Sequence, residues 1–166
     1  MCIRDRGRIE DFYLPSTGVL SLGYTLQICG CFRCSDYWDN QRTFPQLPQL
    51  WSLINGELCP GDTGILMGYN GQLIVSRNSI RGTPQHVYRH LRDILESEPD
   101  HWIHKQPHQE SFDDSTDNPY FGHALERSWM TIFRCTHVAL HHRCSEIGER
   151  RGCGDPDDRC QCLDDT

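Results

Sequence analysis

The sequence has no long apolar run and no extended run of basic residues. None of its 166 residues belong to an apolar stretch approaching the roughly 18 residues that cross a bilayer, so we expect no membrane-spanning helix among them. The formal net charge is -7, and the basic residues are scattered, mostly singly. A nucleic-acid-binding protein normally presents a basic face. We therefore predict no nucleic-acid partner.

Familiar catalytic motifs are also missing. The chain has no glycine-rich phosphate loop, no Gly-x-Ser-x-Gly nucleophile elbow and no His-Glu-x-x-His zinc helix. Apolar residues make up 37% of the sequence, and the mean hydropathy is -0.61. These values predict a single domain with a modest core and long loops.

The N-terminus shows no signal peptide, but its first residues do not look native. "MCIRDRG" at residues 1–7 resembles the translation of sequencing-adapter sequence. We therefore expect the native chain to begin near Arg8 and to be truncated upstream. Residues 1–7 are excluded from the fold reasoning.

Cysteine is abundant, with ten residues in the chain. We favour a disulfide framework, which predicts the lumen of the secretory pathway or secretion. The alternative is a zinc site that uses the Cys31-x2-Cys34 pair together with histidines. The pairing cannot be deduced from the sequence. The histidines that could complete a zinc site are His137, His141 and His142.

Hydrophobic periodicity predicts a layered α/β domain over residues 8–143 and a cysteine-rich, irregular tail over residues 144–166. We expect a partial mixed sheet with flanking helices. Only cross-links or packing against the domain would order the tail. The predicted strands are residues 18–31 (one or two strands), 65–70 and 71–76.

Helices are predicted in three places. The first carries an apolar stripe at Leu47, Leu50, Trp51 and Ile54 and ends at Gly56. The second begins with Thr83 as its capping hydroxyl and Pro84 as its first helical residue. The third spans residues 122–135, and its apolar face consists of Leu125, Trp129, Ile132 and Phe133. Its opposite face collects His123, Glu126, Arg127, Met130 and Arg134.

Polar side chains follow the predicted strand at residues 71–76. In open α/β sheets, ligands bind beyond the carboxyl ends of strands, and this is where Ser76 and Arg77 lie. A guanidinium group matches phosphate or carboxylate bidentately, so Arg77 and Arg81 could clamp an anion. Solvated surface arginines at a helix entrance fit the same pattern.

Two further groups of residues could carry chemistry. His123, Glu126 and Arg127 lie within one helical turn, where they could hold a general base or form an ion-paired helix face. Trp102, in a long polar loop over residues 98–120, could stack on a sugar or anchor the loop. The acidic residues of that loop fit a solvated loop better than a cation site, so we assign no metal ligand.

Four stretches, taken in order, resemble the C-terminal part of a largely fungal family, domain of unknown function 3431. They are "YNGQLIVSRNSIRG" (69–82), "WIH" (102–104), "PYFGHALERSW" (119–129) and "CQCLD" (160–164). The resemblance extends over approximately residues 20–165. Its full-length members look like glycosyltransferases that bind nucleotide sugars with a glycosyltransferase-A-like fold.

The resemblance implies roles for individual residues. Glu126 would be the catalytic base, with Arg127 beside it, and Arg77 or Arg81 would stabilise the leaving diphosphate. The residues expected to contact substrate are Asn70, Gln72, Ser76, Arg77, Arg81, Trp102, His104 and His123.

The resemblance also implies that the chain is incomplete. The nucleotide-binding half, its metal-binding acidic pair and any membrane anchor would lie upstream, so the chain alone would be inactive. The complete protein would use a divalent cation such as manganese, a nucleotide sugar, and a glycan or protein acceptor. The alternative is a secreted, disulfide-stabilised binding module without catalysis.

Overall fold

The computed structural model describes residues 9–10, 12–22, 26–35, 43–61, 64–69, 71–104, 115, 117–140 and 161–164. Within these residues the chain combines helices with small antiparallel sheets. The strands are β1 (Thr17–Ser21), β2 (Leu26–Cys29), β3 (Ile65–Gly68), β4 (Leu73–Val75) and β5 (Gln161–Leu163). The helices are α1 (Leu47–Asn55), α2 (Arg77–Gly82), α3 (Gln85–Leu95), α4 (Tyr120–Arg127) and α5 (Trp129–Ile132), with a 3-10 turn at Trp102–His104.

The strands form two sheets, in the orders β4-β1-β5 and β2-β3. Val19 of β1 lies opposite Val75 of β4 on one side and Cys162 of β5 on the other. Every ladder in the described part of the chain is antiparallel, which corrects the predicted single mixed sheet. β1 and β2, like β3 and β4, are consecutive along the chain but lie in different sheets, so the order of strands in the sequence does not give their pairing.

β3 is the central strand of the core and is buried along its whole length. Ile65 and Met67 belong to a large cluster formed with α1, α3 and α4, whereas Leu66 belongs to a smaller cluster with Val19 and Met130. Successive side chains of a strand point to opposite faces. Helices therefore cover one face of β3, and the three-stranded sheet with α5 covers the other.

Several local predictions are confirmed. Residues 18–31 yield two strands, β1 and β2. Helix α1 buries Leu47, Leu50 and Ile54 and ends at Gly56, which adopts the left-handed conformation with φ 72°. Glycine adopts this conformation without the steric cost that a Cβ atom brings.

Other helix predictions are wrong in detail. Helix α2 had no counterpart among the predicted helices. Thr83 does not cap α3, because its hydroxyl donates to the Ile132 carbonyl at 2.5 Å, and Pro84 is the N-cap residue. The helix predicted over 122–135 breaks at Ser128, whose hydroxyl donates to the Ala124 carbonyl at 2.8 Å. Such bonds to the preceding turn bend helices.

Three disulfides cross-link the described residues: Cys29–Cys34, Cys31–Cys59 and Cys135–Cys162. The predicted disulfide framework is thus present. Cys31 and Cys34 bond to different partners, so the zinc alternative built on this pair is wrong, since only a thiolate ligates the metal. His141 and His142 lie outside the described residues.

The end of the predicted irregular tail is a strand. Gln161–Leu163 pairs with β1, and Cys162 joins it covalently to Cys135. The hydroxyl of Thr17 donates to Oε1 of Gln161 at 2.6 Å. Cross-linking and packing order this segment, which corrects the expectation for residues 161–163. No helix in the described part of the chain is long and apolar enough to cross a membrane.

Candidate functional site

The turn between β3 and β4 lies against the junction of α4 and α5. Gly71 in this turn has φ 57°, and a Cβ atom there would lie 3.3 Å from Nε1 of Trp129 and 3.9 Å from Cγ of Glu126. Two stretches that carry the family resemblance, 69–82 and 119–129, therefore meet here. We call Tyr69, Gly71, Glu126, Arg127 and Trp129 the Glu126 cluster.

Arg127 is the buried cation of the Glu126 cluster. Its Cζ atom lies 4.5 Å from the ring centroid of Tyr69 and 5.4 Å from that of Phe44. Its Nη1 donates to Oε2 of Glu126 at 2.7 Å. A guanidinium is weakly hydrated and stacks on aromatic faces, so the rings and the carboxylate replace the water that it loses. Arg127 and Met130 both lie on the face predicted to be opposite the apolar one, yet both are buried.

Tyr69 is held in place by a chain of hydrogen bonds. Its hydroxyl donates to Oε1 of Gln27 at 2.5 Å, and Nε2 of Gln27 donates to the Ser35 carbonyl at 3.3 Å. Gln27, on β2, therefore holds in place the Tyr69 ring that Arg127 packs against. Gln27 and Phe44 could not be predicted as part of this site because their contacts exist only in the tertiary structure. Tyr69, by contrast, is the first residue of the motif "YNGQLIVSRNSIRG".

Glu126 is the reachable member of the ion pair. The side chain of Glu126 is 29% exposed, against 9% for Arg127. A carboxylate that a buried guanidinium fixes, and that solvent still reaches, can accept a proton or hydrogen bonds from hydroxyl groups. His123, one turn earlier on α4, is half-buried, and its ring lies edge-on to Tyr120 at 6.5 Å between centroids. The predicted contact between Glu126 and Arg127 is thus present.

Ser76 caps helix α2. Its hydroxyl accepts a hydrogen bond from the backbone N–H of Ser79 at 3.0 Å and donates to Oδ1 of Asp164 at 2.8 Å. The Ser79 hydroxyl donates to the same oxygen at 3.3 Å. Ser76 thus joins the stretch 69–82 to one further stretch of the resemblance, "CQCLD". The capping role gives Ser76 a structural task, and its predicted contact with substrate stays a prediction.

Gln72, Arg77 and Arg81, which were also predicted to contact substrate, are exposed. Gln72 precedes β4, and its carbonyl accepts the N–H of Leu22 at 2.8 Å. Arg77 and Arg81 lie on α2 with exposed side chains. Asn70 lies outside the described residues. The rule about the carboxyl ends of parallel strands does not apply to antiparallel β4, so these binding roles rest on the resemblance alone.

Trp102 is exposed on the 3-10 turn, whereas the two residues that follow it are buried or hydrogen-bonded. Trp102 is 54% exposed and tilts against His101 at 5.6 Å between ring centroids, while Ile103 beside it is buried. The Ser97 hydroxyl donates to the Ile94 carbonyl at 2.6 Å, so it accepts from Nε2 of His104 at 3.2 Å. Trp102 and His104 are therefore firmly placed, and their contact with substrate stays a prediction.

A scan against protein-family models, a search of curated proteins and a search of solved structures each found no match.

Proposed function

We propose that the chain is the acceptor-side, C-terminal part of a nucleotide-sugar-dependent glycosyltransferase-like protein related to domain of unknown function 3431. The proposal rests on the position of the Glu126 carboxylate. It is reachable from solvent and is held by buried Arg127 beside the turn that opens the "YNGQLIVSR" motif. A transferase that inverts the anomeric centre needs a fixed carboxylate of this kind.

In the proposed reaction, Glu126 accepts the proton of an acceptor hydroxyl. The hydroxyl oxygen bonds to the anomeric carbon of the donor sugar, and the nucleoside diphosphate leaves with the electron pair of the broken C–O bond. Arg127 positions the carboxylate through its bond at 2.7 Å. Arg77 or Arg81 would stabilise the charge on the leaving diphosphate. The remaining proposed substrate contacts are Asn70, Gln72, Ser76, Trp102, His104 and His123.

The proposal places the nucleotide-binding half of a glycosyltransferase-A-like fold upstream of Arg8, together with any membrane anchor. The complete protein would require a divalent cation such as manganese. Among the residues that the structure describes, no group of three or more His, Cys, Asp or Glu side chains could hold a metal ion. The side chains of the described residues therefore do not fit the cation, and no step is assigned to it. Three disulfides support a secretory-pathway location.

The test requires the native transcript. The region upstream of Arg8 is sequenced, and the complete protein is expressed with Glu126 or with Glu126→Gln. Product formation is followed over a panel of nucleotide sugars. We expect the variant to lose transfer about 100-fold or more, the range for removal of a general base, with an unchanged circular dichroism spectrum. Glu96→Gln, at an exposed position of the same charge, should transfer normally. Equal transfer by E126Q and the parent refutes the assignment of the base.

A second candidate is a secreted, disulfide-stabilised binding module without catalysis. Two of the three disulfides favour it, because Cys31–Cys59 and Cys135–Cys162 join residues 28 and 27 positions apart. This candidate predicts a signal peptide shortly before Gly18 in the native transcript. It also predicts a chain that folds on its own and whose intact mass shows at least three disulfides. A transcript that encodes a large upstream domain contradicts it.

A further inference from the structure

One segment of this acidic protein contains no acidic residue. From Thr63 to Arg92 the sequence has four arginines and two histidines but neither aspartate nor glutamate. The chain as a whole holds 23 acidic and 16 basic residues. The basic residues of this segment all lie on α2 and α3, at Arg77, Arg81, His86, Arg89, His90 and Arg92.

Three of these arginines are exposed and lack a carboxylate partner in the described part of the chain. Arg92 pairs with Asp93 at 2.6 Å and with Glu96 at 3.5 Å. No ion pair within the described ranges involves Arg77, Arg81 or Arg89. Since a protein rich in carboxylates could readily neutralise them, their isolation leaves a local positive charge that is available to a partner.

Helices α2 and α3, which carry these arginines, are held together by a hydrogen bond. The Tyr88 hydroxyl donates to the Ile80 carbonyl at 2.9 Å, which ties α3 to the end of α2. Arg81 follows Ile80 in the sequence, and Arg89 follows Tyr88. Arg77 and Arg81 are four residues apart on α2 and therefore share one face. We call Arg77, Arg81 and Arg89 the arginine surface.

We propose that the arginine surface binds an acidic glycan through its uronate carboxylates or sulfate esters. Guanidinium groups pair bidentately with such oxyanions. Three charges distributed over two helices match the repeated charges of a polymer better than a single diphosphate. A glycan is favoured over a nucleic acid because Tyr88, the one Phe, Tyr or Trp residue of α2 and α3, is only partly exposed and offers no fully exposed ring for bases to stack on, and because the disulfides indicate an oxidising compartment. The proposal does not depend on glycosyl transfer, but it competes with the assignment of Arg77 or Arg81 to the leaving diphosphate, and the test below separates the two.

The test uses the oxidised 166-residue chain. Fluorescein-labelled heparin supplies sulfates, polygalacturonate supplies carboxylates, and neutral dextran is the blank. Binding is measured by fluorescence anisotropy at low and at raised sodium chloride. We expect affinity for one or both acidic polymers that falls with salt. Arg77→Gln, Arg81→Gln and Arg89→Gln should each weaken binding about two- to fivefold, and the triple variant about tenfold or more.

Arg33→Gln is the matched control, since Arg33 is an exposed arginine outside both helices, and it should bind like the parent. Unfolding curves of all variants confirm that the fold is retained. Unchanged binding by the triple variant overturns the proposal, as does equal binding to neutral dextran or to duplex DNA. Displacement of the polymer by uridine diphosphate, with an effect confined to Arg77 and Arg81, overturns it in favour of a diphosphate clamp. None of these outcomes depends on the activity of Glu126.

Discussion

Replacing Arg127 by methionine should destabilise the protein through the loss of one buried charge. The guanidinium lies 4.5 Å and 5.4 Å from the ring centroids of Tyr69 and Phe44, and desolvated contacts of this kind contribute about 2 kcal/mol in total. Glu126 would also lose its partner. Because that carboxylate is 29% exposed, water replaces part of the interaction, and we assign about 1 kcal/mol to this loss. The free energy of unfolding should fall by about 3 kcal/mol.

Urea unfolding followed by circular dichroism measures this change. With a denaturant dependence of about 2 kcal/mol per molar, the midpoint should fall by roughly 1.5 M. Arg92→Gln is the control, because Arg92 is exposed although it pairs with Asp93 and Glu96, and its midpoint should not move measurably. In a double-mutant cycle, E126Q should cost less in the R127M background than in the parent. A midpoint for R127M equal to that of R92Q would refute the reasoning and remove Arg127 as the positioning group for Glu126.

Two further changes test the surroundings of the Glu126 cluster. Gly71→Ala should lower the free energy of unfolding by about 1 to 2 kcal/mol, because φ is 57° and the new Cβ would press on Trp129 at 3.3 Å. Gly82→Ala, at ordinary φ and beside a flexible side chain, should change it by less than about 0.5 kcal/mol, so equal losses contradict the argument from φ. Burial raises the pKa of Tyr88 above its ordinary value of 10.0. Folding therefore favours the neutral form of Tyr88. The stability that neutral Tyr88 contributes is present below pH 10 and is lost as the pH rises through the raised pKa. The difference in absorbance at 295 nm between the parent and Y88F should titrate above pH 10, and a midpoint at or below 10 contradicts this.

The parts of the fold that could be predicted are those with local causes. Helix α1 follows from an apolar stripe and a terminal glycine, both within ten consecutive residues. Strand pairing has no such local signal. The partner of β1 on one side is β5, and nothing in "CQC" distinguishes a strand from the irregular tail that was expected. Sheet order depends on which surfaces meet after the helices pack, so the mixed sheet was predicted where two antiparallel sheets occur.

The same limit applies to the candidate site. The closeness of Glu126 and Arg127 could be predicted because they are consecutive residues in the chain. The burial of Arg127 could not, since it depends on two rings that arrive from distant segments. Ser76 shows a further limit, because one hydroxyl after a strand serves equally well as a helix cap or as a ligand-binding group. Sequence spacing does not distinguish these uses.

The pairing of β1 with β5 can form only late in the synthesis of this sequence. Thr17 and Gln161 hydrogen-bond across a sequence separation of 144 residues, so β1 emerges long before its partner. At about 5 to 20 residues per second, that interval is roughly 7 to 30 s. During this time one edge of β1 stays unpaired, and the burial of Val19 and Leu20, which are fully buried in the folded protein, is incomplete. Cys135 likewise waits for Cys162. A premature stop before Gln161 should therefore leave this edge of β1 exposed and prone to aggregation.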